Sequence, residues 1–249
     1  VRRKTVANFA RVMGKVFIET FDSSPRGWIG WEGGVGATRV EVRDGAAISR
    51  SPWWVDFNHC HPGEGYLHIL FALHTYHGHN FPKAMLDVAG PNPYVEGGFP
   101  TNMTNAKVTV RIKGDVNLRG AQCLFHAQGN VPQPGRPKNW VNQVLIKQPI
   151  QITRDWSEQT LHLVPDQSQW LNLGSRHDRT DMYGKAPIAD LLRDVNGDII
   201  FVLFPLDVVP AKPIQGDPFK LAAGTDYEID RSRLPEGYVM MDEIRIEFP

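Results

Sequence analysis

Six of the nine histidines fall in one short stretch, between His59 and His79. Near neutral pH an imidazole can hold a metal, move a proton or exchange hydrogen bonds, and its neighbours decide which. His59-Cys60-His61, with Glu64 three residues on, offers two imidazoles and a carboxylate to a transition ion, so His59 and His61 are the candidate metal ligands. His68 and His74 cannot share an ion: on one strand, at ~3.3 Å per residue, they stand about 20 Å apart. A strand from Tyr66 to Tyr76 puts Tyr66, His68, Leu70, Ala72, His74 and Tyr76 on one face and Leu67, Ile69, Phe71 and Leu73 on the other. The second face is core. The first is polar and aromatic, as a surface for a hydroxyl-rich ligand should be; a plain solvated face is the alternative.

Two reactions fit the residue types. Elimination from a uronic sugar needs a cation or amide to neutralise the carboxylate and a Tyr or His to carry protons, which nominates Tyr66, His68 and His126 with Arg111 and Gln128. Glycoside hydrolysis needs two carboxylates about 5–10 Å apart, and Asp56 and Glu64 are the acids nearest the histidine-rich segment. Sugar binding alone needs aromatic rings that stack on the C–H face of a pyranose and polar groups for its hydroxyls. Trp53, Trp54, Asn58, Trp140 and Gln143 supply these. Trp53 and Trp54 are adjacent on extended chain, so one faces the core and the other is left for stacking. No GxSxG or P-loop pattern is present.

Positioning such groups calls for strands. With 23 Gly and 19 Pro along 249 residues, few stretches can hold a long helix. Lys107 to Lys113 alternates as a half-buried antiparallel strand, and Gln122 to Gln128 turns Cys123, Phe125 and Ala127 inward and His126 and Gln128 outward. Further strands are expected over Val16 to Phe21, Thr38 to Val42, Ala46 to Ile48, Val141 to Lys147, Gln159 to Val164, Ile199 to Phe204 and Met240 to Phe248. Asp44-Gly45 should close a tight hairpin, and Pro187 to Val195 should form a short helix ended by Asn196-Gly197. Phe81 to Thr104 and Asn130 to Asn139 read as long loops.

Composition sets the outer limits. Hydrophobic residues make up 41% and charged residues 22%, enough apolar material for a core. Lys+Arg and Asp+Glu are both 27, so no basic field draws a nucleic acid. No apolar run approaches the ~20 residues that cross a bilayer, so no membrane partner is expected. Cys60 and Cys123 have no metal or redox spacing and read as buried thiols, with a bridge between them left open. Val1-Arg2-Arg3-Lys4 leads into Val6, Phe9, Val12 and Met13 at helical spacing, not into a signal-peptide core, and the compartment stays open, secreted or periplasmic included.

The ends of the chain carry a resemblance. Phe17-Ile18-Glu19-Thr20-Phe21-Asp22 followed by Gly27-Trp28, with Met241-Asp242-Glu243-Ile244-Arg245-Ile246 at the close, resembles the first and last strands of saccharide-binding β-sandwich modules and concanavalin/laminin-G-like domains. It covers roughly forty residues. It implies neighbouring terminal strands and, in this class of sandwich, a structural calcium held by loop oxygens such as those of Asp22 or Asp242. The fold expected is all-β, a two-sheet antiparallel sandwich of jelly-roll or concanavalin-like form with one or two short helices, as a single domain over 1–249. The function expected is carbohydrate handling: a polysaccharide lyase or glycoside hydrolase, with a non-catalytic binding module or a metal enzyme using the His59–His79 cluster as alternatives.

Overall fold

A computed structural model describes residues 15–249 except 23, 33–35, 57–63, 77–86, 175–182 and 218–219. His59, His61, Asn58 and Cys60 therefore lie outside the described residues. Two sheets, antiparallel but for one short parallel pair, face each other as a β-sandwich. The six-stranded sheet runs β10 (Ser157–His162), β7 (Lys107–Asn117), β14 (Glu236–Glu247), β5 (Ala46–Arg50), β4 (Glu41–Arg43), with β1 (Val16–Glu19) also on β14. Phe17 pairs with Ile246, so the terminal strands do lie side by side. The eight-stranded sheet runs β11 (Trp170–Asn172), β9 (Trp140–Leu145), β8 (Gln122–Asn130), β13 (Asp198–Leu206), β6 (Tyr66–His74), β2 (Trp28–Glu32), β3 (Gly36–Arg39); β12 (Tyr183–Gly184) pairs in parallel with β9.

Alternation explains the layer between the sheets. Val108, Val110 and Ile112 of β7 and Val239, Met241, Ile244 and Ile246 of β14 meet Cys123, Phe125 and Ala127 of β8 and Ile199, Phe201 and Leu203 of β13. Phe125 and Phe201 stack edge to face at 5.8 Å in the middle. Cys123 is fully buried there with a free thiol, which burial pushes up to about 12. The Asp44-Gly45 turn closes β4 onto β5 as expected, with φ of 52° and 73° at its two residues, the left-handed pair that a two-residue hairpin requires.

Helix is confined to short pieces. Beyond Pro187, α2 (Ile188–Arg193) buries Ile188, Leu191 and Leu192 against the core. The stretch expected to be a loop before β7 contains α1 (Pro93–Glu96), capped by Asn92, whose side chain accepts from the backbone N–H groups of Tyr94 and Val95. Asn92 also donates through Nδ2 to the carbonyl of His74 at 2.9 Å, which fastens α1 to the end of β6.

The outer side of the eight-stranded sheet carries a second apolar cluster: Leu67, Ile69 and Ala72 of β6 with Leu124, Val144, Ile200, Val202 and Phe204. Strand β6 thus departs from strict alternation. Phe71 faces Phe201 and Ile69 faces the next residue, Val202, so Leu70 is an extra residue bulged out of the β6–β13 ladder. Leu73, Phe71 and Leu70 pack between the sheets, and after the bulge the parity is inverted. His68 and His74 consequently do not share a face, contrary to the single-face reading of Tyr66 to Tyr76.

Candidate functional site

Strands β6, β13, β8 and β9 bring one polar row to the outer face of the eight-stranded sheet. Asp198 pairs with His74 on one side and with Gln128 on the other, and Gln128 pairs with Asn142 on β9. Four successive strands thus present His74, Asp198, Gln128 and Asn142 at one level, with His126 one alternate position further down β8 beside Val144. All five are buried, none more than 7% exposed.

The bonds within the row are specific. His74 Nδ1 donates to Asp198 Oδ1, which fixes the imidazole tautomer and leaves Nε2 as the atom where a proton is gained or lost. Asn142 Oδ1 accepts from Gln128 Nε2 at 2.8 Å and from His126 Nε2 at 3.2 Å. Asn142 Nδ2, fully buried, has no hydrogen-bond partner among the described residues. A buried amide donor without a partner costs roughly 1–3 kcal/mol, so this one is a natural point for a ligand oxygen. Burial alone would push the basicity of His74 down; the Asp198 carboxylate, by charge and by hydrogen bond, outweighs that and leaves it above the ordinary imidazole value.

Local sequence holds the row in place. Asn196 Oδ1 accepts from the Asn130 backbone N–H at 2.7 Å, and Thr75 donates from its backbone to Gly197 O at 3.0 Å, joining the ends of β8, β13 and β6. Gly197 must be glycine: a Cβ there would lie 2.7 Å from Gln128 O and 3.0 Å from the Trp140 ring. Trp140, half-buried at the start of β9 two residues before Asn142, has its ring beside Gly197.

The residues expected from sequence divide among three places. His126, Gln128 and Trp140 belong to this row. Gln143 does not: it points between the sheets, donating to Ala186 O and accepting from Gln167 Nε2, both at 2.8 Å, so it secures the chain ahead of α2. Arg111 is outward-facing but on the other sheet, where it bonds Asp242 and lies 5.0 Å from the Trp156 ring. This bond also occupies Asp242, one of the two suggested calcium ligands; the other, Asp22, accepts from Thr20 Oγ1 at 2.8 Å.

Tyr66, His68, Asp56, Trp53 and Trp54 gather elsewhere, at the edge where β3 and β5 approach. His68 Nδ1 donates to Trp54 O at 2.8 Å and its ring lies 5.8 Å from that of Trp53. Burial lowers the His68 pKa to about 4, so it is neutral at pH 7. Trp53 is the core member of the tryptophan pair, with Nε1 donating to Ser49 Oγ, and Trp54 is half-buried under the Arg231 guanidinium at 5.1 Å. Asp56 bridges to Leu67, and Tyr66 pairs with Leu206 at the start of β6. A cavity of about 160 Å³ opens at this edge, lined by His68, Trp53, Trp54, Arg39 and Glu41 among others. Glu64 is tied to Lys185 at 2.8 Å. Among the described residues no three His, Cys, Asp or Glu side chains converge to hold a metal.

Sequence reading missed His74, Asp198 and Asn142 as site residues. His74 is a polar member of β6, and Asn142 sits one position from Gln143. Asp198, 124 residues from His74, had no local signal.

No family model matches the chain, and no curated protein matches it. A solved structure from work described as "Prominent members of the human gut microbiota express endo-acting O-glycanases to initiate mucin breakdown" is similar over 93% of this chain and 98% of that one, at 13% identity and a TM-score of 0.40. A likeness of that size carries no functional weight.

Proposed function

We propose that the protein is a carbohydrate-active enzyme, a lyase that cleaves uronic acid-containing polysaccharides on the outer face of the eight-stranded sheet. The observation that carries this reading is the row itself: a His–Asp pair in register with two amides, one of which has a buried donor without a partner among the described residues. Elimination needs these parts. His74 Nε2 removes the proton on the carbon next to the uronate carboxylate, the electron pair forms a carbon–carbon double bond, and the glycosidic C–O bond breaks at the neighbouring carbon. The imidazolium, stabilised by Asp198, returns the proton to the departing oxygen. Gln128 and Asn142 take the carboxylate, whose charge builds up as the proton leaves. Two strand steps, about 10 Å between backbones, separate His74 from Gln128, with Asp198 on the strand between them. Trp140, two residues before Asn142 on β9, would stack a ring beside them.

Hydrolysis fits less well. It needs two carboxylates, and the described part of the row has one, Asp198, committed to His74. The test is to incubate purified protein with uronic and with neutral polysaccharides and follow new reducing ends together with the ultraviolet absorbance of the unsaturated uronate. Both signals on uronic substrates alone are expected. Reducing ends without absorbance mean hydrolysis and overturn the reading, as does the absence of both signals on every uronic substrate.

A further inference from the structure

The outer face of the other sheet holds a set of side chains that the proposed reaction does not use. Lys113 of β7 pairs with Met240 of β14, which pairs with Ile48 of β5; at the next level Asp115, Tyr238 and Arg50 follow the same order. Met240 and Ile48 form an apolar floor that belongs to neither core cluster. Trp156, just ahead of β10, and Tyr238, 36% exposed, line a basin together with Arg43, Arg50 and Lys113 and one acid, Asp44. The basin has a volume of about 380 Å³, room for one or two sugar rings by the usual size of small-ligand sites.

Its charges are arranged with a bias. Lys113 Nζ lies 4.7 Å from the centre of the Trp156 ring and the Arg111 guanidinium 5.0 Å from it, so the indole is held between two cations. The acids nearby are paired: Asp242 with Arg111, Glu41 with Arg50 at 3.0 Å, Asp115 with Arg154 at 3.2 Å, and Asp44 with Arg43 at 3.7 Å. Among the described residues no carboxylate is paired with Lys113, which is half-buried and lines the basin with its ammonium over the Trp156 ring.

An apolar floor with aromatic walls suits the C–H face of a pyranose, and a cationic rim suits an acid group on that sugar. We propose that this basin is a second, non-catalytic binding site for a carboxylate-bearing oligosaccharide, with Trp156 and Tyr238 stacking the rings and Lys113 holding a carboxylate. The ligand class is that of the proposed reaction, but the site stands on its own residues and lies on the opposite outer face of the sandwich.

Affinity electrophoresis through gels containing a uronic or a neutral polysaccharide tests it. Wild-type protein should be retarded in the uronic gel only, and increasingly so at low salt. Trp156→Ala and Lys113→Glu should each weaken retention tenfold or more, and Tyr238→Ala severalfold, with unchanged circular dichroism and melting. Equal retention of the Trp156 and Lys113 variants, equal retention in the neutral gel, or no retention of the wild type would each overturn the proposal. Because the readout is binding, its fate separates from that of the reaction. Trp156-dependent retention without cleavage leaves this site and removes the lyase; cleavage of short substrates without such retention does the reverse.

Discussion

His74 and Asp198 stand directly opposite each other on β6 and β13, and the imidazole Nδ1 donates to the carboxylate across the two strands. The pair is set on the central strands of its sheet, each held on both sides by a neighbour, so it is fixed by the ladder and not by a loop. Asp198→Asn should therefore keep the fold while removing the charge that supports the imidazolium. Turnover on a uronic substrate should fall ~10²–10⁴-fold, the usual range for losing a general base or its orienting partner. The acidic limb of the activity profile, where His74 gains the proton that disables it as a base, should also move to lower pH, because only the carboxylate holds His74 above its ordinary value. A large loss with an unmoved profile would mean that Asp198 acts only in packing.

Gly197 joins stability to the site. Gly197→Ala would set a methyl group 2.7 Å from Gln128 O and 3.0 Å from the Trp140 ring, and the first of these is backbone that cannot swing away. Overpacking of this kind costs about 1–3 kcal/mol, to be read from urea melts. The strain falls on the strand that carries Gln128 and beside the one that carries Asp198, so catalytic efficiency should drop by more than the folded fraction accounts for.

The sandwich was legible because alternation reports which face of a strand is buried. Val108, Val110 and Ile112 on β7 and Cys123, Phe125 and Ala127 on β8 fell on the faces that their pattern implied. The site was legible only in part. His126 and Gln128 were visible as the outward set of β8, but the bulge at Leu70 inverts β6 midway and sends His68 inward while His74 stays outside. A bulge adds one residue without altering composition, so a period-two reading passes over it. On β9 a shift of one position separates Asn142, in the row, from Gln143, between the sheets, and the apolar neighbours Val141, Val144 and Leu145 do not fix the parity by themselves. Asp198 opens its strand, ahead of the apolar run that announces it.

His68 makes the fold sensitive to acid. Its folded pKa, lowered to about 4 by burial, lies below the ordinary imidazole value of 6.5. Between those values the unfolded chain binds a proton that the folded one refuses, so stability is complete above about pH 6.5 and declines as pH falls towards 4. The full shift corresponds to about 3 kcal/mol. His68→Gln should flatten this part of a plot of urea midpoint against pH. His74 works in the opposite sense: its raised pKa adds stability that is present below the ordinary imidazole value and lost as pH rises through the folded one. Asp198→Asn should remove that second slope and leave the first.

Asn142 separates binding of the uronate from the proton transfer. Its Oδ1 already accepts two hydrogen bonds within the row, and Nδ2 is the donor left for the substrate carboxylate. Asn142→Asp keeps the acceptor and replaces the donor by an oxygen, setting one carboxylate against another. KM for a uronic substrate should rise tenfold or more, since a lost hydrogen bond to a charged group is worth ~1.5–3 kcal/mol before repulsion is added. Amidating the substrate's carboxyl groups should recover part of that loss in the variant and none in the wild type. A fall in kcat at constant KM would place Asn142 with the proton-transfer groups instead of the carboxylate site.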